Sequence, residues 1–241
     1  MMARVDEIAP DVFRISTFVA DKNLQFNVFL VRDAEPLLYH TGQIALFPEV
    51  RAAVKTLMEP SELRWIGFSH FESDECGALN AWLALAPAAT ALAGPVAAAT
   101  CIQDYAIRPP RVLADGERFT TGRHTFEFLV TPHVPHGWGA SLLLDCTEGV
   151  LFCSDLLLQH GDPAPVRDDI LPDAVDALEK GQQGPFRDAI PQTTLTAGIF
   201  ARLAARSPKV LAVMHGSSFA GDGGPVLLQF EKALARVSAQ P

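Results

Sequence analysis

The sequence predicts an α/β fold, and its order of elements is consistent with an αββα sandwich in which helices cover the outer faces of two packed sheets. Three observations predict it. Short apolar runs with strand character alternate with longer helical patterns along the chain. Ionisable residues recur where those runs stop, which is where an α/β scaffold usually builds a site. With 241 residues, 49% of them hydrophobic, the chain fits one large domain, residues 1–241, with a substantial two-layer core.

The elements follow in order. Strands are expected at 12–19, 25–32 and 36–40, the first two with partial alternation and the third as a short apolar run, and a helix at 47–58 comes next. The run Arg64-Trp-Ile-Gly-Phe68 reads as a strand ending near Ser69. From Cys76 to Gln103 there is no charged residue, a length that could in principle span a bilayer. That stretch is dominated by Ala and broken by Pro87 and Gly94-Pro95, so it reads as a helix at 76–86, a buried strand at 89–93 and a helix at 95–104. A soluble chain is expected, with no membrane partner. Asp115-Gly116 predicts a hairpin-like turn between strands at 111–114 and 117–120, followed by strands at 124–130, 140–145 and 150–153. The polar, proline-containing stretch 161–186 is expected to pass over the rim of a site and to carry a short helix at 173–181. A long helix at 188–206, a strand at 209–213, the loop Gly221-Asp-Gly-Gly224 and a closing helix at 225–237 complete the reading.

The densest chemistry lies in Ser69-His-Phe-Glu-Ser-Asp-Glu-Cys-Gly77, where His70, Glu72 and Asp74 occupy every second position after an apolar run. In extended backbone that alternation turns all three toward one side. One imidazole and two carboxylates make a donor set that suits iron or manganese at least as well as zinc. Acidic loops are common without a metal, so the remaining ligands matter. The candidates are His133 and His136 after Phe126-Glu-Phe-Leu-Val130, Asp155 after Val150-Leu-Phe-Cys153, and His215 after Lys209-Val-Leu-Ala-Val-Met214. Glu75 has three open roles: metal ligand, hydrogen-bond acceptor for a ligating His, or cap of the following helix.

The order of these elements resembles the metallo-β-lactamase fold, whose hydrolases carry H-x-H-x-D-H, a His in a T-P-x-H-like turn, a bridging Asp and a last His. Here Glu72 stands where the hydrolases have their second His. The pattern H-x-E-x-D resembles the di-iron domain of flavodiiron proteins and their stand-alone relatives, the oxygen-binding di-iron proteins. The stretches DECGALNAWLA, TPHVPHGWGASLLLD, LFCSDLLLQHGD and MHGSSF read the same way, and the resemblance runs from Val12 to the final helix.

The resemblance implies two Fe ions, with Zn or Mn as the alternative. It implies His70, Glu72 and His136 on one ion, Asp74 and His215 on the other, and the Asp155 carboxylate between them. The run from His136 to Asp145 keeps the family's ligand-to-strand spacing, which makes His136 the ligand and His133 a neighbouring pocket residue. Glu75 stands where many relatives have His, and His40 where hydrolases commonly have Asp; His40, a lone His near a strand end, is left out of the site. The implied function is binding or reduction of O₂ (or NO) with electrons from a separate donor, since 241 residues leave no room for a fused flavodoxin domain and its flavin. The other readings are a dinuclear zinc or mixed-metal hydrolase and a non-catalytic oxygen or redox sensor. Full flavodiiron proteins form head-to-tail dimers that bring FMN beside iron. A homodimer is carried over as an expectation, although that reason is absent here.

Composition excludes other classes. A net charge of −9 and the absence of a basic stripe argue against a nucleic-acid partner, and Arg108-Pro-Pro-Arg111 is too small to change that. Neither G-x-G-x-x-G nor G-x-x-x-x-G-K-[ST] occurs to offer a nucleotide site. Cys76, Cys101, Cys146 and Cys153 show no C-x-x-C spacing and read as buried free thiols in a reducing cytosol. The amino terminus MMARVDEIAP lacks the apolar core of a signal peptide, so a cytoplasmic location is expected.

Overall fold

A computed structural model describes residues 3–239. The first two and last two positions, which belong to the predicted domain 1–241 and in part to the amino-terminal reading, lie outside the described residues. The first sheet is built from β1 (Arg4–Ala9), β2 (Val12–Val19), β3 (Leu24–Val31), β4 (Leu37–Tyr39), β5 (Trp65–Gly67), β6 (Thr90–Ala93) and β7 (Arg111–Val112), side by side in that order. It is antiparallel from β1 to β4 and parallel from β4 to β7. The parallel part is covered on both faces, which is why β4 and β5 are uninterrupted apolar runs with every residue buried.

The second sheet contains β8 (Arg118–Thr120), β9 (Thr125–Val130), β10 (Ser141–Asp145), β11 (Val150–Ser154), β12 (Val166–Arg167), β13 (Val210–Val213) and β14 (Ser218–Ala220), in the order β12-β14-β13-β11-β10-β9-β8. Three apolar layers hold the sandwich together. Between the sheets, Phe152 packs tilted against Tyr39 and edge-on against Phe29, with ring centroids 4.9 and 5.6 Å away. Outside the first sheet, Leu38 and Ile66 pack against Val54 of helix Phe47–Lys55 and Trp82 of helix Leu79–Leu85. Outside the second, Leu151 and Leu211 pack against Phe200 of helix Thr196–Ala204 and Phe230 of helix Gly223–Ser238. This is the predicted αββα order.

Several expectations change in detail. Asp115-Gly116 does not close a hairpin: β7 pairs with β6 in the first sheet and β8 with β9 in the second, so the turn carries the chain between sheets. A turn dipeptide specifies local direction, while the partner strand is chosen by burial. The helix expected at 188–206 spans only Thr196–Ala204. Pro191 precedes it, and Thr193 and Thr196 hydrogen-bond to each other at its start, a local bond that competes with further helix. Strands β1, β12 and β14 were not anticipated. Of the four free thiols only Cys76 and Cys153 are buried; Cys101 is half-buried and Cys146, in the turn after β10, is exposed. Arg108 donates to the carbonyls of Leu83, Ala86 and Ala89, closing off a helix end. Among the described residues no helix is long and apolar enough to cross a membrane.

Candidate metal centre

Strands β11 and β13 are parallel, so their carboxyl ends share one edge, and the start of antiparallel β10 lies beside the end of β11. The chain after β5 meets them there: the Ser141 amide donates to the carbonyl of Ser69 at 2.9 Å. Four connections therefore deliver His70, His136, Asp155 and His215 to one rim.

The segment after β5 differs from the expected extended backbone. The strand ends at Gly67, the chain bends over residues 69–72 with Glu72 extended (φ −144°, ψ 161°), and helix Ser73–Cys76 begins at once. Asp74 thus reaches the rim from a helical turn, not by strand alternation. Gly77 closes that turn so tightly that a Cβ there would lie 2.1 Å from the Ser73 carbonyl oxygen. The loop before β10 is held similarly, with Gly139 lying against the backbone of Ala97.

His70, Glu72, His136 and Asp155 each offer a ligand atom, and all four atoms lie within 4.8 Å of one another. Glu72 Oε2 is 3.0 Å from His70 Nε2 and 2.8 Å from His136 Nε2. Asp155 turns Oδ2 toward the same pair, 3.5 Å from His70 Nε2 and 3.8 Å from His136 Nε2. Its other oxygen, Oδ1, is 3.2 Å from His215 Nε2, which is also 3.4 Å from Asp74 Oδ2. The six residues form two groups that share one carboxylate. Asp155 reaches this place because Ser154 adopts φ +54° at an irregularity in the β11–β13 pairing, a left-handed turn that rotates the next side chain inward.

Glu75 takes none of these positions. It is fully buried behind His70, where Oε2 accepts the Ser69 amide at 2.8 Å and Oε1 accepts the Ser154 hydroxyl. His40 Nε2 is 3.5 Å away on one side and His70 Nδ1 3.8 Å on the other. It caps no helix. His40, also fully buried, places Nδ1 3.2 Å from the Asn27 carbonyl. His133, with φ +65°, lies outside the four converging residues; its amide donates to the Gly137 carbonyl at 2.8 Å and shapes the loop that presents His136.

Electrostatics follow from this crowding. Burial alone would depress His70, yet the fields of Glu75, Glu72 and Asp155 outweigh it and carry its pKa up to about 9. His215 is raised to about 10 against its burial by Asp155 and Asp74. Hydrogen bonds from His136 and His70 hold Glu72 well below the usual carboxylate range. Protons therefore stand where a cation would otherwise balance the carboxylates. With those protons released, imidazoles and carboxylates converging from separate elements fit a bound divalent metal.

Three further residues hold the His215 loop, and sequence reasoning did not select them. Arg14, Gln25 and Asn27 point polar groups between the sheets from β2 and β3. Asn27 Nδ2 donates to the carbonyls of Val213 and Gly216 at 2.9 and 2.8 Å, and Arg14 Nη2 donates to Gly216 at 3.0 Å and to Gln25 Oε1. Burial lowers the Arg14 pKa to about 10. The Gln25 carbonyl lies 2.8 Å from His215 Nδ1, which leaves Nε2 facing the carboxylates. Polar residues at alternate positions of an apolar strand were the available signal.

Residues 24–216 match the family model of the ODP family beta lactamase. The chain belongs to this family. A curated relative, a putative diflavin flavoprotein A 3 from Nostoc sp., is 26% identical over 148 residues, which are 56% of this chain and 25% of the relative. The chain thus spans about a quarter of that protein's length. The ODP-family fold is shared with rubredoxin oxygen:oxidoreductase from Desulfovibrio gigas, at TM-score 0.79 and 17% identity over 99% of this chain and 62% of the other. It is shared with a flavo di-iron protein variant from Thermotoga maritima, at TM-score 0.76 and 19% identity over 99% of this chain and 63% of the other. A fragment, residues 1–254, of a putative diflavin flavoprotein A 5 from Nostoc sp. matches at TM-score 0.77 and 16% identity over 98% of this chain and 95% of the fragment.

Proposed function

We propose that this ODP-family chain is a di-iron protein that binds or reduces O₂ (or NO) at a carboxylate-bridged dinuclear site, with electrons from a donor outside residues 1–241. The observation that carries the reading is Asp155, whose two oxygens face two separate groups of imidazole and carboxylate. In this reading His70, Glu72 and His136 hold one ion, Asp74 and His215 hold the other, and Asp155 joins them. Glu72 contributes a hard oxygen shared between two imidazoles, which favours iron over an all-imidazole zinc site. Two Fe(II) ions held by these residues would supply the open positions that a small diatomic ligand needs and would pass on electrons replenished by the separate donor.

The protein's own groups orient and neutralise. His215 is fixed through Nδ1 by the Gln25 carbonyl, so Nε2 is the nitrogen presented to the ion. Glu75, with Ser69 and Ser154, backs the His70 ring and limits its rotation. Loading at neutral pH displaces the protons that the carboxylates otherwise hold on His70 and His215. Residues 1–241 act as one domain in this reading. A cytoplasmic location is part of it, supported by four cysteines that remain unpaired.

The test is O₂ uptake by purified, chemically reduced protein in a closed cell. The reading expects a single uptake on reduction and no steady NADH-dependent consumption by the chain alone. Sustained consumption from NADH, with contaminating reductase removed, would refute the separate-donor reading; no uptake by iron-loaded, reduced protein would refute O₂ binding.

A further inference from the structure

We propose that the cavity beside the metal centre binds an amphipathic organic anion, an aliphatic or aromatic carboxylate, with its apolar body in the cavity and its charged head at Lys22. The cavity measures about 570 Å³. A diatomic ligand needs about the room of one water molecule, on the order of 30 Å³. Pockets of roughly 300–1,000 Å³ are the size that encloses whole organic molecules. The space exists because helix Leu171–Gln182 turns Ala174 and Ala177 toward it, where larger side chains would have filled it. Phe230 and Leu234 form its depth and Phe26 its wall toward His215, 5.1 Å between ring centroids. Two neighbouring alanines on one helical face, opposed by Phe and Leu, make an apolar slot rather than a polar channel.

Charge selects the head group. The carboxylates that line the cavity are all engaged: Glu72 with His70 and His136, Asp74 and Asp155 with His215, and Asp188 with the Gln182 amide at 2.8 Å and with Arg187, whose Nε lies 3.9 Å away and balances its charge. Lys22 is the only lysine or arginine among the described lining residues, and it has no carboxylate partner among them. Its ammonium lies 5.1 Å from the centre of the Phe26 ring, at the exposed mouth of the same wall. The unbalanced charge at the entrance is therefore positive, next to an apolar interior, which is the complement of a carboxylate carrying a hydrocarbon or aryl body.

The experiment uses the full chain as purified, with 1-anilinonaphthalene-8-sulfonate as a fluorescent probe and octanoate and 1-octanol as competitors. The proposal expects the dye to bind and octanoate to displace it at least about tenfold better than 1-octanol, equivalent to about 1.4 kcal/mol. Lys22→Gln should bring the two competitors to within about threefold of each other, and Ala177→Trp should abolish dye binding at an unchanged thermal midpoint. If Ala177→Trp fails to fold, Leu178→Trp, half-buried on the same wall, replaces it. Absence of dye binding, equal competition by octanoate and 1-octanol, or full binding in the folded tryptophan variant would each overturn the proposal. Iron content is measured on the same samples, so failure here and failure of the di-iron reading are seen separately.

Discussion

Replacing Glu75 with Ala should destabilise the fold and loosen the metal centre together. Its carboxylate is fully buried and accepts the Ser69 amide at 2.8 Å and the Ser154 hydroxyl, and it lies 3.5 Å from His40 Nε2. Removing it strands two buried donors and leaves the His40 nitrogen facing a void. Each stranded donor costs about 1–3 kcal/mol, so the loss is about 2–6 kcal/mol for the two. For a domain of this length each kcal/mol moves the midpoint by about 2–4 °C, which gives a drop of roughly 4–24 °C. Because Glu75 also backs His70 from 3.8 Å, metal affinity should fall by about tenfold to a hundredfold, the usual cost of losing a partner behind a ligand. Glu75→Gln keeps the shape and one acceptor oxygen, and should recover most of the thermal loss while leaving affinity reduced. The assays are calorimetry of metal-free protein and competitive chelator titration. A Glu75→Ala variant that melts within about 2 °C of the parent and binds metal equally well would refute the positioning role.

Three further outcomes are expected. His136→Ala should lose most of its iron by elemental analysis while His133→Ala keeps both ions, because only His136 faces Glu72 and Asp155; the reverse pattern would shift the reading of the Thr131–Ser141 turn. Asp33 accepts bonds from the amides of His124, Arg123 and Ala34 and the hydroxyl of Thr121, which outweigh its partial burial and bring its pKa from 3.8 down to about 2. Its folded pKa being the lower, its contribution is complete above 3.8 and is lost as pH falls through about 2. Asp33→Ala should therefore unfold earlier than the parent in denaturant at pH 7, with the gap narrowing between pH 3.8 and 2, and a gap independent of pH would contradict this. Phe152→Ala, emptying the space between Tyr39 and Phe29, should cost about 3–5 kcal/mol in denaturant unfolding.

Much of this arrangement was legible in the residues. The strands at Val12–Val19, Leu24–Val31 and Thr125–Val130 match their expected bounds closely, because alternation and apolar runs report burial of a sheet face directly. His70, Glu72, His136, Asp155 and His215 were visible for a related reason: each follows an apolar run, and strand ends are where a chain leaves the core. The pairing of β7 and β8 was not visible, since a strand of two or three residues carries no preference for a partner and tertiary packing chooses it. The place of Glu75 was equally hidden. Helix cap, ligand and buried acceptor all require a carboxylate at that position, and only the approach of Ser154 from the second sheet, 79 residues later, selects among them. Arg14 and Asn27 carry no sequence signal of their role because their partners are carbonyls of the His215 loop, and Gln25 meets His215 through its own backbone carbonyl; backbone acceptors leave no trace in sequence.

The central claim, two iron ions joined by Asp155, is tested most directly by metal content. Protein expressed in iron-rich medium and purified anaerobically without added metal should carry two irons per chain by elemental analysis, and Asp155→Ala should lose most of both because the shared carboxylate serves each group. Zinc alone in the parent protein, at any stoichiometry, would contradict the account and put the dinuclear hydrolase first.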